Sequence, residues 1–216
     1  MKYCEILAKI AGEVIFMSYS KYKNARDIAW EILLECGVNT LPVRLSIICD
    51  HYGWTLTDYQ TGAPSLALLG LEGLTKRTDG FCAVTKNHTY IFFNSTLPTG
   101  RQRFTIAHEI GHLVLGHVGR GNVTTVNREP SPKDSPTERQ ANQFAARLLA
   151  PACVLHELGA VTPETIQQAC GLSRQAANFR AARMQELERR NRYYVSPLER
   201  LVLQQFASHI ARVLGR

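Results

Sequence analysis

Nowhere does this chain run ~20 apolar residues without interruption, the length a membrane-spanning helix needs. Its first twenty residues carry Lys2, Glu5, Lys9 and Glu13. Charges at that spacing leave no apolar h-region, so no secretory signal is expected there. No cysteine clip exists either: of Cys4, Cys36, Cys49, Cys82, Cys153 and Cys170, no two are closer than 13 residues. Free thiols in a cytoplasmic protein are the expectation. Internal repeats and low-complexity tracts are missing as well. With 45% apolar and 20% charged residues, the composition excludes disordered, collagen-like and fibrous chains. The 216 residues are enough to bury a sizeable core without disulfides.

The net charge of +7 is uneven. Residues 1–150 hold 16 Lys/Arg and 13 Asp/Glu, whereas residues 151–216 hold 9 and 5. A basic C-terminal region fits an Arg-rich helical surface, an acidic protein partner or nucleic acid.

Apolar residues at helical spacing predict a helix over 24–36, with Gly37 at its C-cap. Pro42 is expected to open a second helix. Trp54–Tyr59 reads as a strand, and Phe81–Thr85 and Thr89–Phe93 read as a hairpin. The run 66–71 is ambiguous. Residues 103–117 and 137–149 are helical in pattern, separated by a polar, Pro-containing segment at 118–136. Further helices are expected over 163–170, 173–190 and 197–213. Helices, then a small sheet, then helices argue for an α+β fold. The expected division is an N-terminal helical extension (1–23), a core (24–151) and a helical C-terminal region (152–216) that either stands apart or belongs to the same domain.

The chemistry lies in His108-Glu109-Ile110-Gly111-His112. Residues four apart share a helix face, so His108 and His112 can aim two imidazoles at one ion. Glu109 is offset by about 100° and can reach a water on that ion without occupying a ligand position. This is the HExxH arrangement: two His hold Zn²⁺ and the Glu is general base. The five residues alone arise by chance in many chains. Here they sit in an otherwise apolar helix, where buried imidazoles and a carboxylate need partners.

A third protein ligand is required, with the fourth position open. On a helix continuing through residue 117, His117 would point about 180° away from His108. That favours a role for it at the helix C-terminus. Glu138 is the better candidate, with Asn142 one turn on, placed to accept a hydrogen bond from the outer N–H of a ligand histidine. Ser135-Pro136-Thr137-Glu138 is also a capping box, which by itself would explain Glu138.

These residues resemble the ImmA/IrrE family of zinc metallopeptidases. The resemblance rests on Arg103-Phe104-Thr105, His108 to His112 and Leu115-Gly116-His117, and continues in Glu138-x-x-Ala141-Asn142-x-Phe144-Ala145-Ala146-x-Leu148-Leu149-Ala150-Pro151. Pro42-Val43 and Phe92-Phe93-Asn94 also look like the family. Ala150 stands where the family usually has Met. The resemblance covers roughly 24–190. It implies a zincin-like core with a small mixed or antiparallel sheet packed on the HExxH helix. It implies a gluzincin-like site with His108, His112 and Glu138 as ligands and Glu109 as base. It also implies limited proteolysis of a cytosolic transcriptional repressor of a mobile element or stress response.

Residues 163–190 have the look of a helix-turn-helix around Gly171-Leu172-Ser173. Arg174, Gln175, Asn178 and Arg183 are candidate DNA readers. The resemblance implies instead a segment that grips a protein substrate or completes the fold. Independently, the basic helical region after Pro151 makes Arg174, Arg180 and Arg183 candidate docking residues. Two other readings remain open: a DNA-binding regulator with structural zinc, and a protein–protein regulator that does not cleave. The first needs a closed four-ligand site, and only three ligands are evident. Candidates for stabilising an oxyanion are His88, Tyr90, Tyr52 and the 118–136 segment. The Phe81–Phe93 hairpin offers an edge strand for an extended peptide.

Overall fold

The computed structural model describes residues 25–118, 124–125 and 135–216. The N-terminal extension expected over 1–23 lies outside the described residues. In chain order the elements are α1 (Ala25–Glu35), α2 (Leu45–His51), β1 (Thr55–Asp58), α3 (Ala63–Leu69), a 3₁₀ turn (Glu72–Lys76), β2 (Gly80–Val84), β3 (Thr89–Phe93) and α4 (Thr99–Val114). They continue with β4 (Thr124–Thr125), α5 (Pro136–Leu149), α6 (Ala152–Glu157), α7 (Pro163–Cys170), α8 (Arg174–Arg189) and α9 (Pro197–Leu214). The fold is α+β, as the element order predicts.

The strands run β1-β3-β2-β4. β2 and β3 form the antiparallel hairpin, with Phe81 opposite Phe92 and Cys82 opposite Ile91. β1 joins β3 in parallel, so the sheet is mixed. Side chains alternate across a strand. Phe81, Ala83 and Phe92 pack with Leu66 and Leu71 from α3 and the following turn. Cys82 and Ile91 face the main core with α4. Coverage on both faces explains why β2 reads as an unbroken apolar run rather than an alternation. The ambiguous run 66–71 resolves as the end of α3, with Gly70 in the left-handed conformation.

α4 lies against β2 and β3 on one side and α5 on the other. α5 buries Ala141, Phe144, Ala145, Leu148 and Leu149, an i, i+3, i+4, i+7, i+8 stripe. α1 packs on α5 and α9. Buried apolar side chains on both sides of Pro151 belong to one continuous cluster, from Ala25 to Phe206.

Three details differ from the sequence reading. Pro42 does not open α2, which begins at Leu45 after an extended Arg44. Arg103 Nη2 donates to the Val43 carbonyl at 2.9 Å, tying the preceding segment to α4. α6 starts directly after Pro151 and buries Ala152, Cys153, Val154 and Leu155. β4 is a further short strand, pairing with Ala83 and Val84 of β2.

Candidate metal centre

α4 carries the two histidines one turn apart, and their Nε2 atoms approach to 2.9 Å. α5 supplies Glu138 opposite them. Its Oε2 lies 3.1 Å from His108 Nε2 and its Oε1 lies 3.2 Å from His112 Nε2. The two helices approach this closely because residue 111 is glycine. A Cβ there would stand 3.0 Å from the Phe144 ring and 3.3 Å from Ala141 Cα. His112 is fully buried, while the side chains of His108 and Glu138 keep 13% and 15% of their surface. That exposed side opens into a cleft of about 440 Å³ lined by His108, Glu109, Glu138 and Asn142.

The donor set fits a metal ion. Two neutral imidazoles and a carboxylate aim four atoms at one focus, yet few protons are available to be shared there. Glu138 Oε1 is buried and has no hydrogen bond. A cation at the focus would satisfy all of these donors at once. The three residues form a group able to hold a metal, each offering one atom within 4.8 Å of the others. Among the described residues no fourth His, Cys, Asp or Glu joins them.

Electrostatics favour the ligand forms. Burial lowers the His112 pKa to about 3, with His108 and His117 adding to the effect. Burial also lowers that of His108 and outweighs the opposing Glu138 carboxylate. Both rings are therefore held neutral. Asn142 Oδ1 lies 2.9 Å from His108 Nδ1, where it accepts the outer N–H.

Glu109 stays out of the three-donor group. It is 2% exposed, and its Oε2 accepts the backbone N–H of Cys82 at 3.0 Å. Burial raises its pKa to about 7, against the lowering effect of that hydrogen bond. Among the described residues β4 pairs with β2 only at Ala83 and Val84. The Gly80–Cys82 stretch lies beyond that pairing and faces the cleft at Gly80.

Glu138 serves two functions at once. Ser135 Oγ accepts its backbone N–H at 3.2 Å, so the helix start is capped. Its carboxylate, which a full capping box would turn back to Ser135, points at the histidines instead.

Other expected positions fall elsewhere. His117 does not point away from the site. α4 stops at Val114, and Gly116 takes φ +70, a conformation favoured by glycine. The His117 ring thereby returns to His112, with Nδ1 atoms 3.1 Å apart. Tyr90 stacks on Phe92 and His88, and Tyr52 stacks on Trp54. None of His88, Tyr90 and Tyr52 lines the cleft. Apart from β4, the expected 118–136 segment is described only at its ends.

Arg174 and Arg183 are exposed, and Arg174 pairs with Glu164 at 2.5 Å. Arg180 is a correction: it is 8% exposed and donates to the Ala150 carbonyl, so it offers no docking surface. It lies on the buried stripe of α8 with Ala177, Ala181 and Met184. The sequence reading also missed Arg77, Asp79 and Arg101 in the cleft wall. Arg101 and Asp79 are ion-paired at 2.5 Å.

Residues 70–182 match the family model of the IrrE N-terminal-like domain, Peptidase_M78. The matched span contains α4 and α5 whole, with all three donors, Glu109 and Asn142. Comparison with curated proteins gives no match.

Proposed function

This chain belongs to the IrrE N-terminal-like family of metallopeptidases, whose model covers just over half of it, and from that premise we propose that it is a zinc-dependent endopeptidase. His108, His112 and Glu138 hold the ion. Two imidazoles with one carboxylate is a donor set that catalytic zinc uses, leaving a place for water or substrate. When bound, zinc lowers the pKa of a water and polarises the scissile carbonyl. Glu109 takes the proton from the attacking water and passes it to the leaving amine. Without the ion, burial holds the Glu109 pKa above the ordinary carboxylate value, which makes it a readier proton acceptor than a solvated glutamate. The Cys82 N–H orients the carboxylate by holding Oε2. Asn142 keeps the His108 ring in register through Nδ1.

The observation that carries this reading is a separation of roles within one turn of α4. Two histidines and Glu138 converge on one point, while the neighbouring carboxylate is buried beside the cleft and makes no ligand contact. A purely structural zinc would require a fourth protein donor, and the described residues place three.

The substrate proposed is a cytoplasmic regulatory protein, a transcriptional repressor, cut at few sites. No helix among the described residues is long and apolar enough to cross a membrane. Arg174 and Arg183 are exposed on α8 and are the proposed docking contacts; nine residues apart, they stand on opposite sides of the helix, and Arg174 is also paired with Glu164. Contacts made there can contribute binding energy at the reacting centre. The test compares candidate repressors with unfolded casein, using zinc-loaded protein and its Glu109→Gln variant, read by mass spectrometry. Limited fragments from a repressor, absent with Glu109→Gln, support the reading. Cleavage of casein at many sites refutes the selectivity, and cleavage that persists in Glu109→Gln refutes the mechanism.

A further inference from the structure

We propose that His117 is a positioning residue that selects the proton arrangement of His112. Backed by Gln140, it fixes His112 in the tautomer that presents a bare Nε2 to the metal. The inference rests on the metal centre proposed above and adds a residue that the HExxH–Glu138 pattern does not contain.

The geometry forms a chain of single hydrogen bonds. Beyond α4 the backbone turns at Gly116, and the His117 N–H donates to the His112 carbonyl at 2.9 Å. The two rings meet edge-on, with centroids 5.1 Å apart and planes at 70°. Their Nδ1 atoms are 3.1 Å apart, so one carries hydrogen and the other accepts it. Gln140 settles which. Its Oε1 stands 3.0 Å from His117 Nε2, and an amide oxygen can only accept. His117 therefore carries its hydrogen on Nε2, and its Nδ1 is bare. The hydrogen between the rings then belongs to His112 Nδ1, and His112 Nε2 is left with a free lone pair. That lone pair faces His108 Nε2 and Glu138.

Reversing this order would place a hydrogen on His112 Nε2, where it would block coordination. His112 is fully buried, so with His117 in place its Nδ1 meets that ring and not solvent. His108 has an amide oxygen, Asn142 Oδ1, in the equivalent place. The two ligand rings are thus fixed by different acceptors, and α5 provides both Asn142 and Gln140. Gln140 is exposed, so water can partly replace it, and its removal should matter less than that of His117.

The experiment measures zinc affinity by chelator competition, together with imidazole ¹⁵N shifts of the metal-free protein. Native protein should show His112 protonated at Nδ1. His117→Ala should weaken zinc binding by about 10–100-fold, the usual range for an orienting partner, and mix the His112 tautomers. His117→Asn, which returns an amide oxygen near the Nδ1 position, should recover most of the loss. Gln140→Leu should weaken binding a few-fold in the native background and add nothing to His117→Ala. The proposal is overturned if native His112 carries its hydrogen on Nε2. Zinc affinity within two- to three-fold of native in His117→Ala also overturns it, as does His117→Asn binding no better than His117→Ala. Should His117→Ala not fold, the native tautomer and Gln140→Leu still decide. A native protein that took up no zinc would remove the metal reading, while the tautomer would be tested independently.

Discussion

Replacing Glu109 by Gln should change how the stability of the metal-free protein depends on pH. The Glu109 carboxyl is 2% exposed, and burial lifts its pKa from the ordinary 4.5 to about 7. Between those two values the folded state binds more protons than the unfolded state. Stability contributed by this group therefore falls as pH rises through that window and levels off above it. At ~1.4 kcal/mol per pH unit, the difference amounts to roughly 3 kcal/mol. Gln is close in shape and keeps an oxygen for the Cys82 N–H, so the two proteins should agree within ~1 kcal/mol near pH 5. By about pH 8.5 the variant should be more stable by up to ~3 kcal/mol. His108 and His112, with lowered pKa values, contribute the opposite slope, but they are common to both proteins and cancel in the difference. Urea unfolding of chelator-treated native and variant protein across this pH range measures it. A difference that stays constant from acid to alkaline pH would show that Glu109 is not held desolvated, and the argument for its tuned basicity would fail.

Asn142→Ala should weaken zinc retention or activity by about 10–100-fold with the far-UV spectrum unchanged, since its Oδ1 orients His108; unchanged affinity and activity together would reduce it to an incidental contact. Gly111→Ala should destabilise the protein by ~1–3 kcal/mol and weaken zinc binding, because the new Cβ meets Phe144 and Ala141 and forces apart the helices that carry the ligands; a melting temperature and zinc affinity equal to native would contradict the close-approach argument. Arg174→Ala with Arg183→Ala should raise KM for a folded repressor and leave hydrolysis of a short peptide unaltered. Full activity on the repressor would exclude α8 as the docking surface.

What the sequence makes legible follows from the range of the interactions involved. His108, His112, Glu138 and Asn142 are set by helical periodicity on two helices, and the structure brings them together; α5 has a clear start signal at Ser135-Pro136, whereas α4 begins at Thr99 without a side-chain cap, four residues before the pattern shows it. His117 is different. Its direction depends on where α4 ends, and the assumption of a continuing helix sent it to the wrong side. Gly116, next to it, was the available signal that the helix would stop. The Cys82 N–H that meets Glu109 is 27 residues distant, a contact no local pattern encodes. Arg77, Asp79 and Arg101 come together in the cleft by the same kind of tertiary placement. Arg180 could have been read correctly: Ala177, Ala181 and Met184 put it on the apolar stripe of α8. Its charge suggested a surface position, but its place in the helix period determined burial. β4, two residues long, carries too little pattern to be seen.

The central claim is that one ion is held by three side chains from two helices, with the neighbouring glutamate reserved for proton transfer. Zinc content per chain after exhaustive dialysis tests it most directly, with native protein, Glu109→Gln and Glu138→Ala measured side by side. The account predicts stoichiometric zinc in native protein and in Glu109→Gln, and little in Glu138→Ala. Zinc retained equally by Glu138→Ala, or lost from Glu109→Gln, would contradict it.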